Sequence, residues 1–194
     1  MPYLTPRFFS RDTLTVAREL IGAMIVFGEC EARIVETEAY TTDAASHTVT
    51  RRHKAAMMRE TFGHIYVYRI YGMHHCLNFT TERDGIGAVL IRAAEPLKGL
   101  DLMRKRRSVD EDSRLCRGPG CLCQALAIDL DLNGQRIGRT LKLRERTCEP
   151  EIVVSPRIGI TQATELDWRF FVPDSPFVTR HPLSKRPRHA KIRS

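Results

Sequence analysis

The sequence predicts an α+β fold: a single domain with a mostly antiparallel curved sheet, β-hairpins and surrounding helices. Three observations carry that expectation. Runs rich in β-branched and aromatic residues come in pairs separated by tight-turn residues, so hairpins predominate over strand–helix–strand units. A hydrophobic fraction of 42% over 194 residues supplies a proper core for one domain. No internal repeat divides the chain.

Each element follows in order. Ser10 is a candidate N-cap for a helix with Leu14, Ala17, Leu20 and Ile21 at helical spacing, stopped by Gly22. AMIVFGECEARIVETEAY gives two β-rich runs broken at Phe27-Gly28-Glu29, a hairpin of residues 23–27 and 30–40. TTDAASH is a loop by composition, and HKAAMMRETF holds a short helix. HIYVYRIYGMHHCLN reads as a strand over 64–70, a tight turn at Tyr71-Gly72 and a return strand over 75–80. Glu82-Arg83-Asp84-Gly85 turns the chain into AVLIRAAEP, a strand with Val89 and Ile91 on one face and Leu90 and Arg92 on the other. Pro96 suits the first turn of a helix through Leu97, Leu100 and Met103. RGPGCLCQALAIDL begins with Gly118-Pro119-Gly120 and continues as a helix through Leu122, Ala125 and Leu126. RIGI and WRFFV return to β.

The formal charge of +8 favours an anionic partner. Residues 180–194 carry six Lys/Arg and no acid, so the chain divides into a domain over 1–179 and a basic, flexible tail over 180–194. Such a tail is either solvated or an arm that tracks phosphates. No apolar run approaches the roughly 20 residues of a membrane span. The opening MPYLTPRFFSRD has neither an apolar core nor a cleavage site of a secretory signal, so a soluble intracellular protein is expected. The six cysteines match no structural zinc or iron–sulfur spacing and read as free thiols, and His74 and His75 lack a third ligand; neither metal nor cofactor is expected.

Candidate chemistry begins in VETEAY. In a strand, Glu36 and Glu38 project to one face, either as acid/base groups or as salt-bridge partners. Arg92 closes an otherwise apolar strand, where a guanidinium needs a carboxylate or a path to the surface. Tyr66 and Tyr68 share a face, as core or as a stacking wall for a planar ligand. Tyr71, at a hairpin tip before Gly72, has no packing reason to be large, and a wedge entering a base stack is one occupation for it. Gly118-Pro119-Gly120 is a plain turn or a helix start open to a phosphate.

Taken in order, RIVETEAY, YVYRIYGMHHCLN, AVLIRAAEPLKG, LCRGPGCLCQALAI and RIGI resemble the alkyladenine (3-methyladenine) DNA glycosylases of the non-helix-hairpin-helix type, with similarity from about Leu14 to Val178. The resemblance implies a monofunctional base-excision-repair enzyme without metal or cofactor. Such an enzyme flips an alkylated purine, hypoxanthine or ethenoadenine out of double-stranded DNA and hydrolyses its N-glycosidic bond. It implies Glu38 as the general base for water, with Arg92 and the carbonyl of Ile158 holding that water. Tyr40, His47 and Tyr68 would line the pocket, and Asn78 at its floor would exclude the 2-amino group of guanine. Tyr71, with Met73, would intercalate, and Gly118 and Gly120 would approach the DNA backbone. Glu36 would be structural. A monomer is implied, cytoplasmic and nucleoid-associated in a bacterium or nuclear in a eukaryote. The chain departs from the family in a Tyr40–His47 loop about two residues shorter, in Lys54-Ala55, and in Cys121 where lysine is usual. Two other readings remain at this point: a sugar O-glycoside hydrolase using both Glu36 and Glu38, and a non-catalytic binder of damaged or bent DNA.

Overall fold

A computed structural model describes residues 1–50 and 56–184 of the chain. The expectations placed on Arg51 to Ala55 and on residues 185–194 lie outside the described residues. In chain order the elements are α1 (Thr13–Glu19), β1 (Met24–Phe27), β2 (Cys30–Tyr40), α2 (His47–Thr50), α3 (Ala56–Glu60), β3 (Ile65–Ile70) and β4 (His74–Thr81). They continue with β5 (Gly87–Lys98), α4 (Leu100–Arg107), α5 (Asp112–Leu115), α6 (Pro119–Leu126), β6 (Lys142–Arg144), β7 (Val153–Ser155) and β8 (Arg169–Phe171). The strands form one curled antiparallel sheet in the order β3-β4-β5-β2-β1-β6, with β8 pairing both β2 and β7. The α+β architecture is therefore as expected.

Strand periodicity sorts the side chains between two faces of this sheet. Val67, Leu77, Phe79, Val89 and Ile91 point into one core with Val16 and Ala17 of α1 and Leu122 and Leu126 of α6. The alternate residues Tyr66, Tyr68, Asn78, Leu90 and Arg92 point the other way, into a cleft. Burying the first set drives folding, at about 25 cal/mol per Å² of apolar surface. The second set is thereby fixed in place without contributing to that core.

Two compensating bulges shape the centre of the sheet. Ile34 pairs with Ala94 and Glu36 with Ala93, leaving Val35 as the extra residue on β2. Glu36 with Ala93 and Thr37 with Ile91 then leave Arg92 as the extra residue on β5. A bulge twists its strand and re-aims a side chain. Here the guanidinium of Arg92 reaches both Glu36 and Glu38.

Three local expectations are corrected. Ser10 lies in a 3-10 turn, Pro6–Ser10, and its hydroxyl bonds back to the Arg7 carbonyl; Asp12 caps α1 instead, accepting the Thr15 N–H at 2.8 Å. Pro96 opens no helix. It lies within β5, two residues before its end, opposite Ala32 beside a register shift, where its missing N–H is tolerated, and α4 starts only after Gly99 at φ 78°. RIGI is irregular loop rather than strand, because Arg157 and Ile158 spend their polar groups on β2 and the following loop instead of on a ladder.

Candidate active site

The residues of β2 run from a buried hairpin into an open cleft, and this transition builds the site. Glu38 is fully buried behind a cleft of about 660 Å³ whose lining includes all three groups that hold it, Tyr40, Arg92 and Ile158. Three donors hold it. The amide of Ile158 donates to Oε1 at 2.7 Å, Arg92 Nη1 to Oε2 at 3.1 Å, and the Tyr40 hydroxyl to Oε2 at 2.8 Å. Every partner is a donor, an arrangement that fixes the carboxylate's rotamer. Burial, and then the charge of Glu38, push the Tyr40 phenol well above its usual range, so this hydroxyl stays a donor.

Glu36 shares the same face but is held largely by groups that do not line the cleft. Its Oε1 takes Arg92 Nε at 3.1 Å and Arg169 Nε at 2.7 Å, and its Oε2 takes the Thr179 N–H at 2.8 Å. Burial pushes its carboxyl up, but Arg92, Arg169 and the Thr179 bonds outweigh it and hold the group below the usual carboxylate range. The folded pKa is thus below the unfolded value of about 4.3. The stability it contributes is complete above that value and is lost as pH falls through the folded one. Thermal melts should show a falling midpoint below about pH 4.3, with a flatter acid limb in Glu36→Gln. Superimposable acid limbs would remove Glu36 from the account.

The aromatic wall comes from β3 and the first residue of α2. The His47 ring packs edge-on to Tyr68 at 4.4 Å between centroids, and its Nδ1 bonds the Tyr66 hydroxyl at 2.7 Å. Tyr66 and Tyr68 lie 5.5 Å apart. Burial, then Cys76, keep the Tyr68 phenol well above its ordinary range, so it too is a neutral ring. Asn78 is buried below them; its Nδ2 donates to the carbonyls of Tyr66 at 3.0 Å and Cys76 at 3.2 Å, so its orientation is locked. Tyr40, His47, Tyr68, Asn78, Arg92 and Ile158 all line the one cleft, as do Gly118 and Gly120.

Tyr71 stands at the rim of the cleft. It is 83% exposed, and Met73 beside it is 72% exposed. Tyr71 and Gly72 have φ of 52° and 72°, and the Met73 N–H bonds the Ile70 carbonyl, which is the signature of a two-residue turn with both central residues left-handed. Glycine accepts that backbone freely. Tyrosine does not, so strain is maintained at an exposed aromatic tip. Gly120 sits close to its neighbour: a Cβ there would lie 3.1 Å from the His74 side chain, so the start of α6 rests against the base of the hairpin. Gly118, at φ 108°, offers no side-chain cap to α6.

Sequence reasoning missed two buried arginines. Arg157 stacks between the rings of Tyr40 at 4.6 Å and Trp168 at 5.1 Å, while donating to the Ala39 carbonyl at 2.9 Å and to Asp43 at 2.6 Å. It fastens the RIGI loop, and hence the Ile158 amide, to the strand that carries Glu38. Arg169, fully buried, ties β8 to Glu36. Only the presence of arginine in RIGI and WRFFV hinted at either. Among the described residues no group of three or more His, Cys, Asp or Glu is arranged to hold a metal ion, and no helix is long and apolar enough to cross a membrane.

Comparison with known proteins places this geometry. The family model described as Methylpurine-DNA glycosylase (MPG) matches residues 7–176. A relative in Rhodopseudomonas palustris (strain ATCC BAA-98 / CGA009) is 48% identical over 185 residues, covering 92% of this chain and 89% of its own. One in Methanoculleus marisnigri is 44% identical over 191 residues, with 91% and 98% covered, and one in Nitrosospira multiformis is 45% identical over 181 residues, with 89% and 91% covered. All three are named, provisionally, as 3-methyladenine DNA glycosylases.

Proposed function

The chain belongs to the methylpurine-DNA glycosylase family, and from that premise we propose that it extrudes a damaged purine from duplex DNA into the aromatic cleft and hydrolyses its N-glycosidic bond with a water activated by Glu38, acting as a monomer. The enzyme class itself, a DNA glycosylase that repairs alkylated bases, comes with the family. One observation carries the finer reading: a buried carboxylate held by three donors that themselves line a cleft walled by tyrosine and histidine rings, beside an exposed tyrosine tip.

The chemistry follows from those positions. Tyr71 enters the stack and occupies the gap left by the extruded nucleotide, which lowers the unstacking penalty. The purine stacks on Tyr40, His47 and Tyr68. The locked amide of Asn78 meets its edge, where the 2-amino group of guanine would have no room. As the bond from C1′ to the base nitrogen breaks, its electron pair leaves with the base and C1′ becomes cation-like. The Glu38 carboxylate stabilises that charge and accepts a proton from the water whose oxygen joins C1′. A purine alkylated on a ring nitrogen is already positively charged and leaves as a neutral base without an acid. Hypoxanthine and ethenoadenine leave more slowly because they must gain a proton. Glu36 is poorly placed as a second active carboxylate, since Arg169 and Thr179, which hold it, do not line the cleft, whereas all three groups that hold Glu38 do. This argues against the O-glycoside hydrolase.

The test is single-turnover release of free base from duplexes carrying an alkylated purine, hypoxanthine or ethenoadenine, followed by alkaline cleavage. Release with an alkali-labile site left behind is expected, fastest for the alkylated base. Tight binding with no release from any duplex would support the binder instead. Tyr71→Ala should lower the apparent second-order rate constant by about 10–100-fold, the scale of one base–aromatic stacking contact, with an unchanged melting temperature because the ring is exposed. A wild-type rate in that variant would deny Tyr71 the wedge role.

A further inference from the structure

Arg157 presses a positive charge against the Tyr40 ring from the side away from the cleft. Its guanidinium lies 4.6 Å from the Tyr40 ring centroid and 5.1 Å from that of Trp168. Tyr40 lines the cleft, whereas Arg157 and Trp168 do not, so the guanidinium covers the face of Tyr40 that a base in the cleft cannot reach. The Arg157 side chain has no exposed surface, and water does little to screen it. Nη2 donates to Asp43 Oδ1 at 2.6 Å and Nη1 to the Ala39 carbonyl at 2.9 Å, while Nε is buried with no hydrogen-bond partner among the described residues. Attraction to the two ring faces therefore compensates a cation that its hydrogen bonds satisfy only in part.

Asp43 fixes the guanidinium there. Its carboxylate also accepts the N–H groups of Thr41 at 3.2 Å and Ala45 at 3.0 Å. Burial pushes the Asp43 carboxyl up, but Arg157 and these two bonds outweigh it and hold the group below the usual carboxylate range, so both partners are charged. A ring has one π system and two faces. With a cation already on one face, a second cation on the other meets a less negative surface and direct repulsion besides. A purine alkylated on a ring nitrogen brings such a charge to Tyr40. Hypoxanthine and ethenoadenine bring none.

We propose that Arg157 is a specificity-determining residue that acts through Tyr40: its charge biases the cleft against cationic alkylated purines and toward neutral ones, and Asp43 moderates the bias. This partly offsets the faster departure of the charged base. The proposal rests on the reading that the extruded purine stacks on Tyr40. Release of base is measured in single turnover below saturation, from duplexes carrying a cationic alkylated purine or a neutral lesion, hypoxanthine or ethenoadenine. The quantity compared is the ratio of apparent second-order rate constants, cationic over neutral. A general loosening of the site slows both duplexes and leaves that ratio unmoved.

Arg157→Met should raise the ratio about three- to tenfold, the scale of a cation–ring contact. Asp43→Asn leaves the guanidinium unopposed and should lower it. Arg157→Lys retains the charge and should keep the wild-type ratio even where both rates fall. The double variant Arg157→Met/Asp43→Asn strands no buried charge and stands in should Arg157→Met fail to fold; its ratio should also exceed that of wild type. An unchanged ratio on loss of the guanidinium, or a shift in the same direction for Arg157→Met and Asp43→Asn, overturns the proposal. So does a wild type that releases the charged purine but neither neutral one. If wild type releases no base from any duplex, the glycosylase reading itself falls and takes the proposal with it; release of both with unmoved ratios removes the proposal alone.

Discussion

Glu38→Gln should slow single-turnover base release by about 10³-fold or more, combining the usual scales of general-base and electrostatic assistance, while binding of the damaged duplex stays within about threefold. The substitution keeps volume and shape, so the cleft is preserved. It removes the charge that stabilises C1′ and the lone pair that takes the proton. The carbonyl oxygen of the new amide can face Arg92 and Tyr40, but its NH2 then faces the Ile158 amide, donor against donor at a position now occupied at 2.7 Å. Leaving that contact unmet costs about 1–3 kcal/mol, visible as a lower melting temperature but short of unfolding. Release at more than a tenth of the wild-type rate in the folded variant would exclude Glu38 as the base. The matching change at Glu36 separates the two acids. If Glu36→Gln remains folded, its loss of activity should be far smaller, because Glu36 is turned to Arg169 and Thr179 rather than to the cleft.

Arg92→Met should destabilise the protein by about 3–5 kcal/mol, the range for removing one partner of a buried ion pair. Arg92 is 7% exposed and reaches two fully buried carboxylates, Glu36 at 3.1 Å and Glu38 at 3.1 Å. After the change Glu36 keeps Arg169, but Glu38 keeps only the Tyr40 hydroxyl and the Ile158 amide, and a buried charge is left without a cation. Activity should fall as well, since the carboxylate is no longer held toward the cleft. Urea denaturation measures the effect. The double variant Arg92→Met/Glu38→Gln should be less destabilised than the sum of its parts, because the second change removes the stranded charge. Strict additivity, or a loss under 1 kcal/mol for Arg92→Met, would mean that water reaches this cluster and screens it.

What the letters disclosed, and what they withheld, has a physical pattern. The hairpins and the shared face of Tyr66 and Tyr68 followed from a period of two, because one face of each strand packs on the helices. Arg92 stood out because a guanidinium in an apolar strand must have a partner, and Glu36 and Glu38 were already facing one way. The bulges that aim Arg92 were hidden, since a bulge is a property of two strands in register rather than of one sequence. Arg157 and Arg169 were hidden for a related reason: their partners Ala39, Asp43 and Glu36 lie more than a hundred positions away. Pro96 was misread because proline at a helix start and proline at a bulged strand end look alike locally. Ile158 became a candidate through the resemblance alone. In the fold its amide faces Glu38, a contact that no side-chain pattern could encode.

In the proposed complex an extruded purine lies between the rings of Tyr40, His47 and Tyr68 with Glu38 at its sugar, while Tyr71 fills the stack. A crystal structure of Glu38→Gln bound to an uncleaved duplex with one alkylated purine measures this most directly. The account requires electron density for the base in the cleft against Asn78, with the Tyr71 ring between neighbouring base pairs. A purine still stacked within the duplex, with Tyr71 in solvent beside an empty cleft, would contradict it.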